Sequence, residues 1–122
     1  MDPATVMGRL WEIENDLAEK QVELEQLAED LARTRRDWDR RMAMAVTIAN
    51  GNSKEIREAN SLLAIIATGD GIYEKLTDEE ARFGGLQAAM RSLEKRASIG
   101  QSILRALTQE AFRSNSEPAW SK

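Results

Sequence analysis

The sequence predicts an all-α protein, made of a long N-terminal coiled-coil-like helix followed by two shorter helices. Apolar residues recur every seven positions from Leu10 to Ala45, no segment alternates as a strand does, and only two prolines occur in 122 residues. Aromatic residues make up 5% of the chain, so the core must be aliphatic and thin. A thin core gains stability by pairing its helices with those of other copies, so we expect oligomerisation to complete the helical hairpin or bundle.

The first helix is expected at about residues 3–49, with a length of roughly 68 Å. Pro3 suits its first turn, and the segment Asn50–Ser53 favours its end. The first series of its apolar seam comprises Leu10, Leu17, Leu24, Leu31, Trp38 and Ala45. The companion series comprises Ile13, Leu27 and Ile48 and is interrupted by Lys20, Thr34 and Arg41.

The second helix is expected at about residues 54–68, because Ser53 can cap its start and the segment Thr68–Gly71 can stop it. The segment Thr77–Glu80 has the spacing of a capping box, so we place the third helix at about residues 78–112. We treat residues 1–113 as one helical domain. Residues 114–122 are then a flexible tail that holds Trp120.

The third helix also carries an apolar seam, whose members alternate by three and four residues. Gly100 belongs to this seam, and because it has no side chain it would let another backbone come close. The predicted seam comprises Phe83, Leu86, Met90, Leu93, Ala97, Gly100, Leu104 and Leu107.

Composition argues against catalysis. The chain has no cysteine and no histidine, which removes thiolate chemistry, the commonest general base and the commonest metal ligand. The acids Glu74, Asp78, Glu79 and Glu80 are explained by the start of a helix. We therefore expect no enzyme activity, no metal and no cofactor. Without a secretion signal or a long apolar run, we expect a soluble cytoplasmic protein, in the host cytoplasm if the chain is of phage origin, with no membrane partner.

Charge is distributed unevenly, although the net charge is only -4. Residues 1–32 hold nine acids and two bases, residues 33–41 hold five arginines and two aspartates, and residues 82–113 hold six bases and two acids. A polyanion responds to such local patches rather than to the total charge. Two basic segments are therefore candidate binding surfaces.

The stronger candidate is a polar stripe on the third helix, which we call the α3 stripe. At about 100° per residue its members fall within roughly 80° of one another, opposite the apolar seam. Cations and hydroxyls in this arrangement suit contact with phosphates, although any amphipathic helix has a polar face. The stripe comprises Arg91, Lys95, Ser98, Ser102 and Arg105.

The weaker candidate is the segment from Arg33 to Arg41, in which Arg33, Arg36 and Arg40 line one side of the first helix. Asp37 and Asp39 allow local ion pairs there, so a solvated helix face explains this segment as well as a binding patch does.

Several segments together resemble small phage proteins of the UvsY recombination mediator family. The resemblance covers residues 10–107 and rests on a long N-terminal helix, the stretch REANSLLA at 57–64, a segment with Tyr73, and the block LQAAMRSLEKRASIGQSIL at 86–104. It implies a protein that binds single-stranded DNA as a ring-like oligomer and helps a RecA-like recombinase replace single-strand-binding protein. By this resemblance Lys54 and Arg57 match the DNA-binding element, and residues 86–107 match the oligomerising helix.

We thus expect a phage-type recombination and replication accessory protein, with its own copies, single-stranded DNA, a RecA-like recombinase and single-strand-binding protein as partners. The alternative is a coiled-coil assembly, adaptor or anti-defence protein that binds only protein. Under either interpretation, the expected subunit contacts are made by Leu86, Met90, Leu93, Ala97, Gly100, Leu104 and Leu107.

Overall fold

The computed structural model describes residues 2–116, with side chains up to residue 113, and shows an all-α fold. The described part consists of α1 (Pro3–Ile48), α2 (Lys54–Ala67) and α3 (Ile72–Ser116), and it contains no strand. It divides into two compact units, one formed by the residues up to Val22 and those from Gln87 onward, the other by Glu23–Leu86. Of the predicted tail, residues 117–122 with Trp120 lie outside the described residues.

Helix α1 begins where the sequence predicts, with Pro3 as its first residue and Asp2 as its cap. The Asp2 carboxylate accepts the Thr5 N–H at 2.8 Å and the Thr5 hydroxyl at 3.0 Å. These bonds, the backbone one first, lower the pKa of the Asp2 carboxyl below 3.8. The cap satisfies donors that the first turn of a helix leaves without a partner.

Helix α2 also has the predicted cap. The Ser53 hydroxyl oxygen accepts the Ile56 N–H at 3.2 Å. The helix ends at Ala67, and Gly69 and Gly71 follow with φ angles of 71° and 76°. Because side chains crowd the backbone at such angles, glycine suits both positions and lets the chain turn within four residues.

The predicted start of the third helix is wrong, because α3 begins at Ile72 rather than near residue 78. Asp70 provides the start signal, since its carboxylate accepts the Ile72 N–H at 3.2 Å. The predicted cap Thr77 lies inside the helix, where its hydroxyl donates to the Tyr73 carbonyl oxygen at 2.9 Å. Asp70 was predicted to belong to the stop of the second helix, and the turn with Gly69 and Gly71 lets the same segment end α2 and begin α3.

The end of α3 is a second correction. The helix continues to Ser116, whereas residues 114–116 were predicted to belong to the flexible tail. At 45 residues α3 is nearly as long as the 46 residues of α1. Propensity alone disfavours serine and asparagine in helices by only a few tenths of a kcal/mol each, roughly, so continuation from a long preceding helix outweighs it.

In the unit Glu23–Leu86, the end of α1 packs against the start of α3 in antiparallel fashion. Thr34 contacts Glu79, and about two helical turns further along α1, Arg41 contacts Asp70. The rings of Trp38 and Tyr73 lie 5.7 Å apart at a tilt of 48°. The buried apolar residues here are Leu27, Leu31, Ile65, Ile72 and Leu76.

A buried polar contact joins α1 and α3 in this unit. The Thr34 hydroxyl lies 3.0 Å from Glu79 Oε1 and 3.0 Å from the Asp30 carbonyl oxygen, and its single proton serves one acceptor at a time. Thr34 and Glu79 are 4% and 7% exposed, and within the described residues Glu79 Oε2 has no hydrogen-bond partner. The residue predicted to interrupt the α1 seam thus lies at its centre.

In the other unit, the start of α1 packs against the later part of α3. Val6 and Leu93 are buried, at 3% and 8% exposure. A Cβ atom on Gly100 would lie 2.8 Å from Leu10 Cδ2 and 3.3 Å from Leu10 Cγ. The predicted close approach at Gly100 therefore exists, but the neighbour is a side chain of the same chain rather than a backbone.

Candidate functional site

All members of the α3 stripe are exposed, and they lie on the side of the helix away from its packed face. The stripe extends from Arg91 to Arg105, or about 21 Å along the helix. Ser102 donates its hydroxyl proton to the Ser98 carbonyl oxygen at 3.1 Å, so that proton is already in use. The three cations and the Ser98 hydroxyl are the groups left to meet a ligand.

These cations have no acidic partner. Within residues 2–113, no carboxylate oxygen lies within 4.0 Å of the charged nitrogens of Arg91, Lys95 or Arg105. Glu94 is exposed on the same helix without pairing with any of them. A cation that is not neutralised within the chain remains available to an external anion such as phosphate.

The basic segment of α1 differs in this respect. Arg33 pairs with Asp30 at 3.8 Å, and Arg40 pairs with Asp37 at 3.2 Å. The hydrogen bond from Arg40, followed by one from Arg41, holds the pKa of the Asp37 carboxyl below its usual 3.8. Arg36 is exposed and forms no ion pair among the described residues. Most of this patch is therefore neutralised locally, as the solvated-face interpretation expects.

The two cations that the resemblance assigned to DNA contact are also engaged. Lys54 lies 3.8 Å from Glu58 one turn further along α2, and the Arg57 guanidinium donates to the Gly51 carbonyl oxygen at 3.3 Å. Arg57 is also partly buried. Both belong to the unit Glu23–Leu86, whereas the α3 stripe belongs to the other unit.

The residues predicted to lie between subunits all fall on the packed face of α3. Leu93 is buried within the single chain, and Leu86, Met90, Ala97, Gly100, Leu104 and Leu107 are partly buried. The seam is thus located where the spacing predicts, but its burial is supplied at least in part by the chain itself. Contacts within a chain and between chains require the same apolar spacing, so the sequence pattern does not distinguish them.

Some features with functional potential were missed. The α3 seam extends back through Glu79, Leu76 and Ile72 by the same alternation of three and four, which would have indicated the earlier helix start. A second feature lies in the first three turns of α1, where Trp11 is 66% exposed and Met7 is 58% exposed. Their spacing of four residues on a face other than the seam was the available signal.

Within the described residues, no three acidic side chains gather closely enough to hold a metal ion. None of the helices in that range combines the length and the apolar character needed to cross a membrane. Fold and surface together define an all-α protein with an exposed helix face whose three cations form no ion pair among the described residues. Comparison with protein-family models, with curated proteins and with solved structures finds no match to this chain.

Proposed function

We propose that this chain is a phage-type recombination and replication accessory protein. It binds single-stranded DNA as an oligomer, carries out no catalysis, and assists the loading of a RecA-like recombinase. The DNA contact is assigned to the α3 stripe, and the recombinase partner follows from the resemblance of residues 57–64 and 86–104 to the mediator family. The supporting observation is that Arg91, Lys95 and Arg105 share one exposed face without an acidic partner in the described residues.

The charge pattern supports contact with phosphates rather than with bases. Three cations spread along about 21 Å of helix can follow a phosphate backbone, whereas the stripe holds no aromatic ring on which a base could stack. The logarithm of the affinity falls linearly with the logarithm of the salt concentration, and each phosphate neutralised on a single strand adds about 0.7 to that slope. Three contacts per copy therefore predict a slope of about 2, multiplied in an oligomer that engages several stripes on one strand.

Fluorescence anisotropy with labelled oligo-dT over a salt series tests this function. We expect wild type to bind at low salt and to release the strand as salt rises. The triple variant Arg91→Ala/Lys95→Ala/Arg105→Ala loses the contacts that supply the slope of about 2, so it should bind about a hundredfold more weakly at 0.1 M salt.

The matched control is the triple variant Arg33→Ala/Arg40→Ala/Lys54→Ala, which removes the same charge from cations that already pair with acids. It should bind nearly as well as wild type. Absence of wild-type binding at low salt would refute the proposed function. Equal affinity of wild type and the α3 triple variant would refute the assignment to the stripe.

A second candidate is a coiled-coil assembly, adaptor or anti-defence protein that meets only protein partners. It is favoured by the large apolar side chains that the described chain leaves exposed, such as Trp11 at 66%, Phe112 at 74% and Ile48 at 83%. The same titration separates the two candidates, because this one predicts no salt-dependent affinity for oligo-dT.

A further inference from the structure

An apolar groove lies beside Gly100 in the unit that holds the start of α1 and the end of α3. We call it the Gly100 groove, and it is lined on α1 by Val6, Leu10 and Ile13 and on α3 by Ile99, Gly100 and Ile103. Ile99 and Ile103 are 53% and 38% exposed. Because Gly100 has no side chain, Leu10 rests against the α3 backbone and a depression remains beside it. Arg9, Glu12 and Arg96 lie at its edges.

The same unit carries an apolar projection on α1, which we call the Trp11 ridge. It consists of Met7, Trp11, Ala18 and Val22, all exposed and spaced by about one or two helical turns. Trp11 and Val22 are both 66% exposed, so the ridge lacks cover within the described chain. Aromatic anchors of this kind supply much of the binding energy at protein interfaces when a pocket receives them.

We propose that the Gly100 groove receives the Trp11 ridge of a second copy of this chain, with Trp11 and Met7 seated against Ile99 and Ile103. Shape favours this occupant, since the two ridge residues cover one helical turn and the groove extends for about 10 Å, or two turns, along α3. The contact would bury the exposed apolar side chains of both surfaces together.

Charge also favours a second copy. The groove edge has two arginines, Arg9 and Arg96, against Glu12, and no ion pair engages either arginine among the described residues. Glu14 and Glu19 flank the Trp11 ridge, each within about 80° of Trp11 around α1. An acid-flanked ridge thus meets a groove with net positive edges, which orients the encounter.

The two surfaces lie on opposite sides of α1. Trp11 is two residues from Arg9 and two from Ile13, so at about 100° per residue it is roughly 160° around the helix from both. A contact between unlike surfaces on opposite sides is heterologous, and it leaves a free groove at one end and a free ridge at the other. Addition therefore continues past a dimer, into a ring if the rotation between copies closes and into a filament if it does not, and each added copy presents its α3 stripe in the same way.

Analytical ultracentrifugation over a concentration series, without nucleic acid, tests this assembly. We expect wild type to grow past a dimer. Trp11→Ala and Ile99→Asp should each raise the protein concentration at which half of the chains are assembled by about 30-fold or more. The first variant removes the aromatic anchor, and the second places a charge in the groove that receives it. Both positions are more than half exposed, so circular dichroism should show unchanged helix content, and Ile99→Ala serves as a milder variant if Ile99→Asp unfolds.

A mixture of the two variants provides the sharper measurement. Trp11→Ala keeps its groove and Ile99→Asp keeps its ridge, so an equimolar mixture should form a heterodimer of twice the mass of one chain and nothing larger. Met44→Ala removes another apolar side chain of 66% exposure on α1 and should assemble as wild type does.

The inference is overturned by a monomeric wild type, by a wild type that stops at a dimer, by a mixture that stays monomeric, or by an equal loss of assembly in Met44→Ala. The inference rests on the proposed function only for what the oligomer does, which is to bring several α3 stripes to one DNA strand. Ultracentrifugation is done without DNA, and the anisotropy variants leave the ridge and the groove intact, so failure of this interface and failure of DNA binding are distinguished.

Discussion

Replacing Gly100 by alanine should change stability in the opposite direction from the same replacement elsewhere in α3. An alanine in a helix is about 1 kcal/mol more favourable than a glycine. At Gly84 and Gly85 no atom lies within 4 Å of the added Cβ, so the whole gain should appear. At Gly100 the added Cβ would lie 2.8 Å from Leu10 Cδ2.

The size of the effect follows from that distance. Carbon atoms pack at about 3.5–4.0 Å, so Leu10 must withdraw by roughly 0.7–1.2 Å. Overpacking of this kind costs about 1–3 kcal/mol, which offsets or exceeds the gain in helix propensity. We therefore expect Gly100→Ala to lower the free energy of unfolding by about 0–2 kcal/mol, whereas Gly84→Ala raises it by about 1 kcal/mol.

Urea unfolding followed by circular dichroism measures these differences, at one fixed protein concentration because self-association also stabilises the folded state. The decisive variant is Leu10→Ala, which removes the atoms that the new methyl group would meet. In that background Gly100→Ala should become stabilising. The reasoning is refuted if Gly100→Ala stabilises wild type as much as Gly84→Ala does, or if the Leu10→Ala background leaves its effect unchanged.

Two further predictions concern the unit Glu23–Leu86. Thr34→Val should lower the free energy of unfolding by about 1–3 kcal/mol, because the buried Glu79 loses its hydroxyl partner, whereas Thr34→Val/Glu79→Leu should be at least as stable as wild type in urea unfolding. A double variant less stable than wild type would contradict this. The hydrogen bond from Arg41, and next the Ile72 N–H, hold the pKa of Asp70 below 3.8, so this carboxylate stabilises the fold above pH 3.8 and the contribution is lost as pH falls through the lower folded-state pKa. Thermal melts between about pH 2 and pH 5 should fall less steeply for Asp70→Asn than for wild type, and equal slopes would rule out this contribution.

The apolar spacing of the long helices could be predicted because it follows from helix geometry alone. The α3 seam and all of the α1 seam except Ile48 fall on packed faces, and the α3 stripe falls on an exposed face. The prediction was wrong for Ile48, which is 83% exposed at the last residue of α1. Residues three and four apart share a side of any helix, whatever that side contacts. For the same reason the pattern could not tell a partner within the chain from a partner in another copy.

The start of α3 could not be predicted because two segments carry similar signals. Thr77 and Glu80 have the spacing of a capping box, yet Glu80 lies 3.4 Å from Arg35 on α1 and Thr77 bonds to the turn before it. Asp70 caps the helix instead, and its bond to Arg41 depends on α1 lying beside it. Local pattern fails where a long-range contact decides between two possible caps.

The pairing of charges could be predicted from the sequence only in part. The ion pairs of Arg33 and Arg40 with acids three residues away could be expected from spacing. Arg91 does not pair with Glu94, although these residues are also three positions apart. This could not be predicted, because it depends on the side-chain conformations that each helix face permits.

The buried contact between Thr34 and Glu79 also has a consequence for alignment. The neighbouring seam positions on α1 are Leu31 and Trp38, so a slip of α3 by one turn would place the Glu79 carboxyl against an apolar side chain. A buried carboxyl group without a hydroxyl donor is costly, while the leucine seam on either side tolerates many offsets. We expect this single polar layer to select one register among several that the apolar residues alone would accept, and so to determine which residues of α1 and α3 meet.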